Sequence, residues 1–141
     1  MREILFKGKT KAITGCPYNN GKPDGEWVFG YVFPDLGAVK IRQYETNRPE
    51  CNDYEVDPET VGQYIGVPDK NGVKIFEGDI LRDDDTEENG VVVFKEGEFC
   101  IVFDNVITHG ISAIAYRCYI RGNIHDNPEM LSIKKGDIDN D

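Results

Sequence analysis

With 141 residues, 39% hydrophobic content and a formal net charge of -10, the chain has material for one domain of ordinary size, or one domain with an elaborated end. No run reaches the roughly 18 apolar residues that a membrane-spanning helix requires, which excludes that class. The charge is concentrated: residues 45–90 hold 14 acids and 4 bases, while the rest of the chain holds 12 of each, a distribution that argues against non-specific binding to phosphates.

In chain order, "REILF" (2–6) predicts a short first strand, and "KGKTKAITGCPYNNGKPDGE" a polar loop or loosely paired hairpin arm with turns at Asn20-Gly21 and Asp24-Gly25. "EWVFGYVF" (26–33) is the clearest strand. Alternation puts Trp27, Phe29, Tyr31 and Phe33 on one face and Val28, Gly30 and Val32 on the other. The aromatic face is expected to be core or interface. Pro34 to Gly37 turns the chain into a partner strand, "AVKIRQY" (38–44).

Asp57 followed by Pro58 predicts a one-turn helix, cut short by Gly62. Asn71-Gly72 supplies the positive φ of a hairpin tip, and "GDILR" starts the next strand. "DDDTEEN" (83–89) is expected to be a solvated acidic loop ending at Asn89-Gly90. "VVVF" and "FCIVF" make a second hairpin around "KEGE", and "ISAIAYRCYIRGNI" (111–124) reads as one long strand, bent or bulged near Gly122, with Ile114, Tyr116, Cys118 and Ile120 on one face. Asn127-Pro128 predicts a last single turn before a polar tail. Short strands with turn signals about every ten residues indicate an all-β domain of barrel or sandwich type.

The chemistry-bearing residues are sparse. No glycine-rich turn feeds a helix, so a phosphate loop is not expected. Asp83, Asp84, Asp85, Glu87 and Glu88 offer carboxylates, but an EF-hand needs glycine at the position that Glu88 occupies. Asp79 with Asp83–Asp85 is the remaining arrangement for a metal-dependent hydrolase, without a lysine or histidine marked nearby. Asp79 reads better as a group that ties a turn by accepting backbone amides. The four cysteines at 16, 51, 100 and 118 form no close pair, and Cys100 and Cys118 sit in apolar runs, which predicts reduced, buried thiols. His109 and His125 are expected in structural or surface roles.

Several of these segments carry a resemblance. "MREILF", "GEWVFGYV", "VDPETVGQYIGVPDKNGVKIFEGDIL" and "IRGNIHDNPEML", in that order, resemble the YopX-like family of small proteins encoded by phages and prophages. The resemblance implies a mainly β fold with an SH3-like barrel in the C-terminal part. It supplies no catalytic residues. The first arm departs from the family's usual aromatic-containing continuation.

The resulting expectation is mainly β: an SH3-like, partly open β-barrel at 59–131, an N-terminal β-arm or hairpin extension at 1–58, only single-turn helices, and a flexible acidic tail at 132–141. The opening residues lack an apolar h-region with a small-residue cleavage site, so the host cell cytoplasm is the expected compartment. A non-catalytic protein-interaction or assembly module is expected, with no cofactor and no metal. Its surface would include Trp27, Phe29, Tyr31, Asp83, Asp84, Asp85, Glu87 and Glu88, and its partner would be a host or phage protein, or a second copy in a homo-oligomer. Two alternatives stand beside it. One is nucleic-acid binding through Lys7, Lys9, Lys11 and Lys22 with Trp27 or Tyr31 stacking. The other is the metal-dependent hydrolase.

Overall fold

A computed structural model describes residues 3–11, 18–19, 22–44, 51–103 and 106–131. The chain divides into two units, Met1–Gln63 and Tyr64–Asp141.

The first unit contains β1 (Phe6–Lys9), the two-residue strands β2 (Tyr18–Asn19) and β3 (Lys22–Pro23), β4 (Trp27–Asp35), β5 (Ala38–Tyr44) and β6 (Cys51–Glu55). Four of them form an antiparallel sheet in the order β6-β5-β4-β1. The first strand thus runs through Lys7 and Lys9 rather than ending at Phe6, because Lys7 and Lys9 pair opposite Phe29 and Trp27. β4 and β5 are joined at Leu36 and Gly37, whose φ values of 50° and 84° give the tight turn that matches the twist of a hairpin. Val28, Ile41, Tyr54 and Val56 form the core, with Val32, Val39 and Val61 packed around it. The single turn Pro58–Thr60 follows as the sequence predicts: the Asp57 carboxylate accepts the Glu59 amide at 3.0 Å. The next strand, β7 (Gly62–Pro68), starts in this unit with Gly62 and Gln63 paired to β1.

In the second unit β7 continues and pairs with β8 (Lys74–Phe76) around the 69–73 tip, where Gly72 has φ 82°. A five-stranded antiparallel sheet follows, built from β9 (Asp79–Asp83), β10 (Glu88–Lys95), β11 (Glu98–Phe103), β12 (Val106–Thr108) and β13 (Cys118–Asn123). Its order is β12-β11-β10-β9-β13. The sheet is open, with β12 and β13 at its edges, and not a closed barrel. Both faces are buried. Leu81, Val92, Ile101 and Phe103 pack with Ile75, Ile111, Ile114 and Cys118 on one side; Val91, Val93, Cys100 and Val102 pack with Ile124 and Leu131 on the other. A strand buried on both faces needs no alternation, which is why Val91, Val92 and Val93 follow one another without a polar residue.

Three expectations are corrected here. Residues 111–117 are not strand: they form two 3-10 turns, Ile111–Ala113 and Ala115–Arg117, entered through Gly110 at φ 66°. The buried residues Ile111, Ile114, Ala115 and Cys118 recur at helical spacing, whereas Tyr116, placed with Ile114 and Cys118 by strand alternation, is 69% exposed. Asn89-Gly90 does not end a loop; both residues lie in β10, opposite Arg82 and Leu81. Finally, Asp83 is the last residue of β9 and is only 2% exposed, so it belongs to no solvated surface.

The bulge falls where the sequence puts it, between Ile120 and Gly122. Asn127 fills the space there: a Cβ on Gly122 would stand 2.3 Å from Asn127 Oδ1. The 132–141 tail and most of the 12–21 arm lie outside the described residues.

Candidate interaction surface

The outer face of β4 follows from its alternation. Val28 turns inward, and Gly30 leaves room for β5, because a Cβ at Gly30 would fall 1.9 Å from the Arg42 carbonyl oxygen. The opposite parity therefore turns outward. Phe29 is 42% and Tyr31 55% exposed, so this face is surface rather than core. Trp27 and Phe33, at its two ends, are half-buried.

Cross-strand register sets a row of charges on each side. Lys9 lies opposite Trp27 and Lys7 opposite Phe29; Arg42 lies opposite Tyr31 and Lys40 opposite Phe33; Asp53 and Glu55 then stand opposite Arg42 and Lys40. The cations lie over the rings: Lys7 Nζ is 4.5 Å from the Trp27 ring centre, Lys9 Nζ 5.6 Å, and Arg42 Cζ is 5.1 Å from that of Phe33.

Carboxylates neutralise four basic residues of this unit, Arg42, Lys40, Lys22 and Lys11. Arg42 donates to both Asp53 oxygens, at 2.8 and 3.1 Å, and Lys40 to Asp35 at 2.8 Å. Lys22 stands 3.3 Å from Glu26, and Lys11 3.9 Å from Glu55. The hydrogen bond from Arg42 holds the Asp53 carboxyl below the usual carboxylate range, and that to Asp35 raises the Lys40 ammonium above its ordinary value. At the hairpin end Leu36 is fully exposed at positive φ.

The acidic turn is assembled differently from the sequence expectation. Both Asp83 oxygens accept from Arg117 Nε, at 3.1 and 3.0 Å, and Oδ1 also accepts the Asp85 amide at 2.9 Å. Asp84 pairs with Lys70, and Asp85 lies 3.7 Å from Arg117. The Asp83 and Asp84 hydrogen bonds raise the Arg117 and Lys70 pKa values. Asp84, Asp85, Glu87 and Glu88 are exposed.

Asp79 is buried and accepts the Phe76 amide at 2.8 Å, tying the 76–79 turn. Asp79 and Asp83 are thus occupied by the fold, and among the described residues no three of His, Cys, Asp and Glu come together as around a metal ion. Cys100 and Cys118 are free thiols buried in separate clusters, and burial pushes Cys118 up to about 11, away from the reactive thiolate. His109 pairs with Glu98.

Sequence reasoning placed Trp27, Phe29 and Tyr31 together and the structure does the same. It missed Arg42, Lys40, Asp53 and Leu36. Pairing "FGYVF" with "AVKIRQY" across a two-residue turn at Leu36-Gly37 would have found the first two, since the turn fixes the register.

These features define a mainly β protein of antiparallel sheets with an exposed aromatic sheet face, flanked by ring-stacked lysines on one side and ion pairs on the other. Residues 34–132, well over half of the chain, match the YopX protein family, and the chain belongs to that family. No curated protein matches it. Among solved structures it is similar to that of protein EF1440 from Enterococcus faecalis. The identity is 23% and the TM-score 0.54, covering 94% of this chain and 100% of that one; the likeness is one of fold.

Proposed function

We propose that the chain is a non-catalytic protein-interaction or assembly module, encoded by a phage or prophage and acting in the host cytoplasm, with an SH3-like, partly open barrel in its second unit. The observation that carries this reading is the outer face of β4, where Phe29 and Tyr31 are exposed between Lys7 and Lys9 of β1, which lie over the Trp27 ring, and the ion-paired Lys40 and Arg42 of β5. Protein interfaces favour that pattern: aromatic anchors at the centre, and a polar rim whose hydrogen bonds are already made. Nucleic acid fits less well. Phosphates would compete for Arg42, Lys40, Lys22 and Lys11 with the carboxylates that hold them. Outside this face, residues 64–141 hold 16 acids against 8 bases, which suits a partner with basic groups.

Affinity capture from host extract tests the reading, with the Phe29→Ser/Tyr31→Ser variant as the matched control. Partners retained by the wild type and lost by the folded variant, unaffected by nuclease, support it. A low-salt mobility shift with single-stranded nucleic acid that the same variant abolishes would replace it with the stacking alternative.

A further inference from the structure

We infer that Asn71 is a site of spontaneous deamidation, and that this reaction loosens the 69–73 tip together with its hold on β13. In an Asn-Gly pair the glycine backbone nitrogen can attack the preceding side-chain Cγ. A C–N bond forms, ammonia leaves and a succinimide ring remains. Water then opens one of the two ring carbonyls, giving aspartate or isoaspartate. In isoaspartate the main chain runs through the side-chain carbon and is one atom longer. Glycine favours the attack because it has no Cβ to obstruct it.

The chain has three Asn-Gly pairs, at 20–21, 71–72 and 89–90. The first lies outside the described residues. The other two have opposite surroundings. Asn89 and Gly90 are paired in β10 opposite Arg82 and Leu81, and Asn89 Nδ2 donates to the Met130 carbonyl at 3.4 Å. The ladder holds the Gly90 backbone and the Met130 carbonyl holds the Asn89 side chain, so bringing the Gly90 nitrogen onto Asn89 Cγ requires unpairing the strand. Asn71 and Gly72 are both exposed and lie outside the paired strands, at the hairpin tip. The attacking nitrogen itself is held by one turn hydrogen bond, from the Gly72 amide to the Asp69 carbonyl at 3.0 Å, which must open first. Bonds at an exposed hairpin tip are among those that open most readily.

The consequence comes through Asp69. Its buried carboxylate spans the reacting bond: Oδ1 accepts the amides of Asn71 and Val73, at 2.8 and 2.9 Å, while Oδ2 accepts the Ile120 amide at 3.0 Å. An additional backbone atom between residues 71 and 72 separates the two amides that share Oδ1. The strain therefore falls on the carboxylate that also anchors β13.

Ageing the full chain in mildly alkaline buffer, followed by peptide mass mapping, tests this. The expected result is an amide-to-acid mass gain several-fold faster at residue 71 than at 89, isoaspartate in the product, and faster amide exchange at Val73 and Ile120 than in aged Asn71→Gln. Equal rates at 71 and 89 would overturn the site. So would no gain at 71 over a period in which the urea-unfolded chain converts there. Unchanged exchange in a fully converted sample would overturn the coupling to β13.

Discussion

Leu36 and Asp69 show opposite relations between a residue and its place. Leu36 occupies a positive-φ turn position that favours Asn, Asp or Gly, and its side chain lies wholly in solvent. The β10–β11 hairpin has the same backbone at Glu96 and Gly97, with φ 51° and 84°, but presents a charge. Leu36→Asn should raise stability by about 0.5–1 kcal/mol in urea unfolding, because asparagine tolerates this conformation better. If the tip takes part in docking, the same change weakens capture while it strengthens the fold. Asp69 is the converse, a carboxylate that the fold needs. Asp69→Ala leaves three backbone amides without their acceptor and should cost about 3 kcal/mol, again by urea unfolding. The turn chemistry around both residues was legible in the sequence, since Asn71-Gly72 and the 34–37 segment read directly as tips. The Ile120 amide on Asp69 was not, because it lies 51 residues away and its approach depends on strand order.

At the level of strands, glycines mark where elements pass too close for a side chain. Gly90→Ala forces a methyl against Ile101 and Phe103 at the centre of the second sheet and should cost about 1–3 kcal/mol, with a lower urea midpoint. Sequence reading took Gly90 for a turn because Asn-Gly usually is one; the buried side chains that demand the glycine come from β11. The 111–117 segment was misread for a related reason. Its apolar residues satisfy either period over so short a run, and only the burial of Ile111, Ile114 and Ala115 decides for a turn-forming path. Between β5 and β6 the Arg42–Asp53 pair has a pH signature. Asp53 is held below its ordinary 3.8, so the folded protein releases that proton at lower pH than the unfolded chain does. Its contribution is complete above 3.8 and disappears as pH falls through the lower folded value. Trp27, the single tryptophan, reports the first unit by fluorescence. In Asp53→Asn the part of the acid transition in that window should flatten.

For the whole molecule, the sequence carried the fold class and the sign of the charge, and left the state of individual groups to geometry. A mainly β chain was readable from strand and turn spacing, and four ordered segments resembled the YopX-like family, to which the chain belongs. The acidic excess in the middle of the chain argued against phosphate binding before any contact was known. What sequence could not give was the state of individual charges. Asp83 looked like one of five solvated acids and is buried against Arg117, while Lys40 and Arg42 looked like ordinary strand polars and frame the aromatic face. The most direct test of that face is quantitative capture from nuclease-treated host extract by wild type and by Phe29→Ser/Tyr31→Ser. A protein-docking surface on β4 predicts a defined partner held by the wild type and lost by the folded variant. Capture of the same proteins in the same amounts by both would contradict it.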